Sequence, residues 1–577
     1  LTTVRDALET VPGVSLIRTG GPGGATTVFL RGANSEHALV LLDGIELNDP
    51  SSPTGGYDLA TLGTASVERI EILRGPQSTV HGSSALGGVI NILTRRGEGD
   101  SRVELSLEGG AYGSASGSVA TLGARGGWSW SATAARRTTD GFSASPERLG
   151  NDEDDGSGTT GVDVRVDRRA GPVFLAFVGH LDDSETDLDQ TGPQGDDPNR
   201  RLEDREVALL AEIRSGESED RWQPAVSFTY SRHDRESLDD PDDAHPLTSE
   251  RGEFEGSTWK LAWINDVALG GAGRLVAGVE TERESAFTTF LSDGEFGPFE
   301  STFPERTART TGAFSEFRTH PSGKISLALG ARADDHDRFG TALTTRVAPA
   351  LSIVSTGTRF RGTWGTGFKA PSLFQLYDPT FGSESLDPEL SRGWEAGIDQ
   401  SFASGRVRFS VTAFQTRFEH LITFASEGYR NENESTARGV ETTAGTAIAA
   451  AAGLYMSASY TYTHTEIKTG PDHGLELLRR PRHKASLDVD WTPERGPDVA
   501  LGVVGVGERE DIDFSVFPSE RVTLDPYTLV RLAIGWDVTD ALRLQGRIEN
   551  LFDADYEEVL DFGTAERAAY VGVTFRP

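Results

Sequence analysis

From Ser101 onward the chain alternates apolar and polar residues with a period of two. Val103, Leu105 and Leu107 alternate with Arg102, Glu104, Ser106 and Glu108. Trp128, Trp130, Ala132 and Ala134 alternate with serine and threonine, and Val162, Val164 and Val166 with Asp163, Arg165 and Asp167. The same rhythm returns at Val407/Phe409/Val411/Ala413, Met456/Ala458/Tyr460/Tyr462, Val530/Leu532/Ile534/Trp536/Val538 and Leu542/Leu544/Gly546/Ile548. Each run predicts a strand with one apolar and one charged or polar face. One such strand also suits a water-soluble sandwich. Some twenty of them over about 475 residues do not, because a soluble core of that span is not built only from half-charged strands; a lipid-facing outside around a wet or plugged lumen satisfies the pattern. At roughly 20–24 residues per strand with its share of loop, the length predicts about 22 antiparallel strands. A transmembrane barrel that wide needs something in its bore.

The first hundred residues follow other periods. In 1–13, Val4, Leu8 and Val11 fall on one helical face, and Pro12-Gly13 ends it. Gly20 to Gly24 reads as a mobile turn. Thr27 to Gly32 and Ala38 to Leu42 read as strands, the second ending in an Asp43-Gly44 turn. Residues 48–58, NDPSSPTGGYD, form an aperiodic Gly/Pro/Ser loop with the composition of a binding loop. In 66–99, the run Val67, Ile70, Ile72, Leu73 and the run Val89-Ile90-Asn91-Ile92-Leu93 read as two strands joined by a glycine-rich segment. The predicted organisation is an N-terminal α/β plug domain, 1–99, inside the lumen of an all-β barrel, 100–577.

Composition narrows the class. Hydrophobic residues make up 36% and mean hydropathy is −0.37, low for a helical membrane protein. The longest nearly unbroken apolar run, Ala447 to Met456, is about half of a spanning helix. Without cysteine, neither a disulfide framework nor a thiolate metal site exists. The net charge of −34 argues against a nucleic-acid partner. Residues 1–99 carry 7 Lys/Arg against 10 Asp/Glu, a net of −3, so the acidity belongs to the larger part. Leu1 opens on polar sequence with no signal peptide, which reads as a trimmed mature chain.

Acidic, Gly/Pro-rich stretches separate the strands at Pro146–Gly158, Asp182–Asn199, Arg232–Asp243, Ser292–Glu300 and Asp334–Asp337, as long external loops do in such barrels. No serine-hydrolase elbow, P-loop, dinucleotide fingerprint or HExxH zinc helix occurs, and the eleven histidines show no metal-ligand spacing, so no enzyme is expected. The sharpest constellation is acidic. Asn151, Glu153, Asp155 and Gly156 spell N-x-E-x-D-G, the first half of an EF-hand loop, but Val162 stands where a bidentate Glu belongs. Asp182, Asp183, Asp187, Asp189, Asp196 and Asp197 follow one strand pair later. Convergent carboxylates repel unless a hard cation joins them; solvated acidic loops without a cation fit the residues alone equally well.

The segment SVERIEILRGPQSTVHGSSALGGVINIL, 66–93, resembles the end of the plug domain of TonB-dependent outer-membrane receptors. An ER(I/V)E-x-(I/L)RGP-x-S-x-x-(Y/H)GS-x-A-x-GGVINI pattern recurs there. It is carried here by Glu68 to Glu71, Arg74 to Pro76, Ser78, His81 to Ser83, Ala85 and Gly87 to Ile92. FLRGANSEHALVLLDGIELNDP also looks like plug sequence, and the terminal run Ala569, Val571, Val573, Phe575 resembles the signal read by barrel assembly, although Arg576 and Pro577 follow. Four features look like the vitamin B12 receptor branch: FKAPSLFQLYDP (Phe368–Pro379), LDPELSRGWEAGI (Leu386–Ile398), RRPRH (Arg479–His483) and NLFDADYEEV (Asn550–Val559). In that branch two neighbouring extracellular loops bind calcium through aspartates and order over the substrate. Residue by residue, the resemblance implies Asp140, Asn151, Glu153, Asp155, Leu188, Asp189 and Asp197 (or Asp196) for calcium, Leu188 standing where the pattern has an aromatic. For substrate it implies Thr27, Asn34, Ser52 and Pro53.

Three functions compete. The first is a monomeric receptor in the outer membrane of a Gram-negative-type bacterium that imports cobalamin or another corrinoid, energised by a TonB-type inner-membrane complex through a coupling box absent from this sequence. Amide and hydroxyl groups suit a neutral, amide-rimmed corrin. The second is the same machine for a ferric siderophore or haem. FKAP and LDPEL enclose no His of the kind haem receptors resemble one another in, and an acidic exterior suits an anionic ferric catecholate poorly. The third, a non-transporting adhesin or porin, gains nothing from a stopper.

Overall fold

The computed structural model describes residues 2–190, 195–217, 220–243, 245–294, 297–425, 428–449 and 453–577. Parts of the predicted acidic stretches 182–199 and 292–300 and of the apolar run 447–456 lie outside those residues. Among the described residues, 22 antiparallel strands close into one barrel. The first, Arg102–Gly110, pairs with the last, Ala568–Phe575, in the register Leu107↔Val573. No helix among the described residues is long and apolar enough to cross a membrane. Closure satisfies each strand's backbone through its neighbours, which a bilayer demands because it supplies no hydrogen-bonding partner.

Alternation sets the two faces. Leu105, Leu107, Leu175, Phe177, Trp263 and Ile534 stand exposed on the outside, where lipid replaces water. Arg165, Asp167, Glu206, Arg332 and Asp334, which alternate with such residues, are buried in the bore. Short turns such as 126–127 and 171–172 lie at one end of the barrel, and long connections such as 140–156, 188–200, 370–388, 507–526 and 550–567 at the other. That asymmetry makes the long-loop end extracellular. Trp128, Trp222, Trp263, Trp491 and Trp536 all sit within a few residues of short-turn strand ends and are exposed outward, an aromatic girdle at the periplasmic interface.

Three predicted loops belong to strands instead. Asp182 to Asp187 ends Val173–Asp187, Arg232 to Asp239 ends Trp222–Asp239, and Asp334 to His336 ends Ile325–His336. Strands such as Phe299–Ser322, 24 residues long, far exceed what the hydrocarbon layer requires. Above the membrane both faces of a ladder meet water or one another, so charged residues pair in strands there as readily as in loops.

The plug begins with the helix Val4–Leu8, capped by Thr3, which bonds the Asp6 N–H and receives the Asp6 carboxylate in return. Strands Val14–Arg18 and Thr26–Leu30 form a hairpin. Ala38–Leu42 runs parallel to Gly88–Thr94, which pairs antiparallel with Val67–Arg74. The glycine-rich segment predicted between the last two holds a one-turn helix, Ser78–His81. Val4, Leu8, Val14, Val28, Leu42, Ile45, Ile90 and Ile92 form the plug core, each side chain contributing about 1.5–3 kcal/mol on burial. Wall residues Val178, Ala208 and Leu210 join it.

Charge locks the plug to the wall all round the bore. Arg165 reaches Asp43 at 3.1 Å, Lys260 reaches Glu46 at 3.1 Å, His37 meets Glu389 at 3.0 Å, and Lys484 donates to the Val14 carbonyl at 2.7 Å. The firmest clamp is Arg31. Its Nε and Nη2 each donate to Glu441 at 2.8 Å, its Nη1 to Glu395 at 2.8 Å, and its guanidinium lies 4.5 Å from the Phe414 ring centroid. Arg31→Met leaves the Glu441 carboxylate buried without this partner, and the expected loss in plug docking is about 3 kcal/mol. A lowered midpoint for proteolysis of the plug in urea, with the barrel still heat-modifiable on gels, checks this; an unchanged midpoint contradicts it.

Candidate substrate and cation site at the extracellular mouth

The plug apex is built by the hairpin 14–30, the segment 31–37 and the loop 48–58. Thr27 lies on strand Thr26–Leu30 opposite Ile17, and its Oγ1 is buried without a hydrogen-bond partner. Asn34 precedes a one-turn 3-10 helix; its Nδ2 donates to Glu36 at 3.0 Å and its Oδ1 accepts from Arg480 Nη2 at 2.6 Å. Arg480 also lies 3.9 Å from the Phe29 ring centroid. In the sequence Arg480 stands out only as part of RRPRH; its reach to Asn34 depends on a fold contact 446 residues apart. Ser52 and Pro53 sit in a loop held by the wall strand Trp222–Asp239 at one end and by the loop 370–388 at its middle. Asp49 pairs with Arg235 at 2.9 Å, and the Pro53 carbonyl accepts from Ser372 Oγ at 2.7 Å. Thr27, Asn34 and the 48–58 loop thus share the outward end of the plug, the Thr26 N–H donating to Asp58 at 2.8 Å. A further extracellular loop, 550–567, folds inward: Glu558 pairs with Arg5 and accepts from the Arg18 N–H at 2.7 Å, while Val559 packs on Ile17 and Phe29.

The predicted mobile turn Gly20–Gly24 is a packed wedge. Gly20 and Gly23 have φ of +81° and +89°, and a Cβ on Gly20 would meet the Ala144 Cβ at 2.6 Å. On Gly23 it would meet Thr186 Oγ1 at 2.5 Å and Ser157 Oγ at 2.6 Å. Gly20 therefore lets the plug backbone touch the first acidic loop directly, and Gly23 the strand ends beside it.

That loop, 140–156, and its neighbour, 188–200, bring most of the predicted carboxylates together. Asn151 Oδ1 accepts from the Gly195 N–H at 2.5 Å, and Asp196 Oδ2 accepts from the Asp152 and Glu153 N–H groups at 2.9 and 3.3 Å. Asp155 Oδ2 accepts from the Ala144 N–H at 2.5 Å and Asp189 Oδ2 from the Ser145 N–H at 2.9 Å, and the two carboxyls share a hydrogen bond. Asp197 N–H donates to Asp189 Oδ1 at 3.4 Å. Asn151, Asp155, Asp189 and Asp197 are all buried. Burial, then the charges of Asp189, Asp196, Asp197 and Asp187, push Glu153 up to about 7. Burial and mutual repulsion raise Asp155 and Asp189 as a pair.

Two predicted ligands stand apart. The Asp140 N–H donates to the Tyr112 carbonyl at 2.9 Å and its carboxylate covers Gly113, where a Cβ would come within 1.9 Å of Oδ2. Leu188 has no donor side chain, and its N–H bonds the Arg200 carbonyl, which leaves its own carbonyl as the group a cation can use. Asp182 and Asp183 also leave the cluster, since their strand carries Asp182 into the bore and Asp183 out to Arg205. The remaining set fits calcium. All its donors are hard oxygens, and one oxygen each of Asp196 and Asp197 is buried without a hydrogen-bond partner.

Comparison with known proteins agrees with this architecture. Residues 1–89 match the TonB-dependent receptor plug domain, and residues 99–551 match the TonB dependent receptor-like β-barrel. The chain belongs to the TonB-dependent receptors, transporters of the Gram-negative outer membrane. It is 30% identical over 589 residues to the vitamin B12 transporter BtuB of Photobacterium profundum, a match spanning 100% of this chain and 90% of that one. In fold it is similar to the siderophore receptor PirA of Acinetobacter baumannii (TM-score 0.82, 16% identity, 100% and 96% of the two chains). It is also similar to the pyoverdine receptor FpvA of Pseudomonas aeruginosa PAO1 (0.81, 16%, 100% and 92%).

The raised carboxyls fix a pH dependence for the metal-free loops. A carboxyl raised in the folded chain holds a proton that the unfolded chain releases above about pH 4, so folding of these loops weakens as pH climbs from there through about 7. Amide exchange in 140–156 and 195–200, corrected for its intrinsic rate and measured with a chelator present, is expected to accelerate between about pH 5 and about pH 8. Flat protection across that range contradicts the carboxylate convergence.

Proposed function

We propose that this receptor imports cobalamin or a related corrinoid. The observation that carries the reading is the full-length 30% identity to a vitamin B12 transporter. The mouth supports it chemically. The apex carries the Asn34 amide, held between Glu36 and Arg480, a buried unpartnered hydroxyl at Thr27 and loop groups at Ser52 and Pro53. Such groups pair with a ligand rimmed by neutral amides.

Calcium, bound by Asn151, Glu153, Asp155, Asp189 and Asp197, would neutralise the two acidic loops and tie them together. Through Gly20–Gly24 the ordered loops bear on the plug apex, so cation and substrate favour the same arrangement of the mouth. Release inward starts at the first residues of the plug. The Thr2 carbonyl accepts from Arg137 Nη1 at 3.1 Å, and the Val4 N–H donates to the Leu62 carbonyl at 2.9 Å. Cavities of about 390 and 250 Å³ are both lined by Thr2 and Arg137 and follow the wall strands 102–110, 115–125 and 128–139. Drawing the first residues away removes the partition between them and lengthens one path along the wall.

Calorimetry of the detergent-purified chain with cyanocobalamin tests the assignment. Binding is expected to tighten with calcium, and Asp155→Asn with Asp189→Asn is expected to abolish that calcium dependence. Asn34→Ala is expected to weaken cyanocobalamin about fivefold, the worth of one hydrogen bond. Heat with a ferric siderophore and none with cyanocobalamin overturns the reading in favour of a siderophore receptor.

A further inference from the structure

We propose that the mouth holds a second cation site of different chemistry, made by Asp197, Asp242 and His245 and selective for a transition-metal ion of the zinc class. It lies where Asp242 and His245, between the strands Trp222–Asp239 and Ser249–Ala268, meet Asp197, and it is independent of which substrate the receptor carries.

His245 Nδ1 stands 3.8 Å from Asp197 Oδ2 and 3.7 Å from Asp242 Oδ1, and the three donor atoms lie within 4.8 Å of one another. These separations are too long for hydrogen bonds, and Nδ1 is buried without one. Tetrahedral zinc, with bonds of about 2.0–2.2 Å, sets its ligand atoms roughly 3.3–3.6 Å apart. A modest contraction of an exposed loop therefore completes the set.

A second observation points into the same space. The Asp197 side chain is 0% exposed, and its Oδ1 has no hydrogen-bond partner. Asp239, 2% exposed, also leaves its Oδ1 unpartnered, and Gln190 Nε2 links the two carboxylates at 2.8 and 3.1 Å. Arg200 does not neutralise them by contact, since its Nη1 donates to the Asp189 carbonyl and its Nη2 to Glu250. One buried and one half-buried carboxylate, Asp197 and Asp242, each within 4 Å of an imidazole nitrogen, are the donor set of a borderline metal. Calcium, which takes oxygen ligands, gains nothing from the imidazole. His245 thus separates the two sites by ligand type, while Asp197 sits between them. With both filled, Asn151, Asp155, Asp189, Asp197, Asp242 and His245 are tied to one another.

The test uses the whole chain in detergent, stripped with chelator and then saturated with calcium. Titration with zinc chloride is expected to show one equivalent of heat. His245→Gln is expected to lose it while keeping calcium binding. Asp155→Asn with Asp189→Asn is expected to keep the zinc heat while losing calcium binding. Cobalt(II) added in place of zinc is expected to give a visible ligand-field spectrum that His245→Gln lacks. Zinc heat undiminished in His245→Gln, or removed by excess calcium in the unaltered chain, overturns the proposal. No corrinoid enters the measurement, so its failure leaves the import reading untouched.

Discussion

The structure depends on one constraint: a strand in hydrocarbon must satisfy its own backbone, so the sheet has to close on itself. Closing 22 strands makes a bore lined by whatever faces away from lipid. Here that lining is charged, and charges held in a narrow, plugged space need partners more than charges in bulk water do. Arg31 against Glu441 and Glu395, Arg165 against Asp43, and Lys260 against Glu46 are the result. The same alternation that gives the barrel its outer surface gives the plug its docking sites.

The strands were legible because a period of two repeated over hundreds of residues leaves few architectures, and the plug because its apolar runs, turn residues and resemblance agreed. Where the reading erred, local composition had been taken for local structure. Asp182 to Asp187 and Arg232 to Asp239 look like acidic loops, but ladder pairing above the membrane costs such residues nothing. Gly20 to Gly24 looks mobile; its glycines are there because Ala144, Ser157 and Thr186 leave no room for a Cβ.

The site was legible in part. The convergence of Asn151, Glu153, Asp155, Asp189 and Asp197 is legible because acidic residues crowd into two consecutive loops, and consecutive extracellular loops of a meander are neighbours. Asp140, taken from resemblance alone, turns to Gly113. Arg480 and His245 carry no local signal. Each matters through a partner brought close by barrel closure or by the next hairpin, distances along the chain that no spacing rule registers.

The way the plug's leading end is fastened also sets its response to load. Thr2, Thr3 and Val4 are held by single bonds to Arg137, Thr64, Leu62 and Gly63, met one at a time by a pull from the periplasm. Bonds stressed in turn peel like a zipper, at low force. The buried Arg5–Glu558 pair and then the three-bond clamp at Arg31 are stressed later and resist more. The chain thus carries a soft lead-in followed by a hard stop, so a tug can part the first segment while the rest of the stopper stays seated.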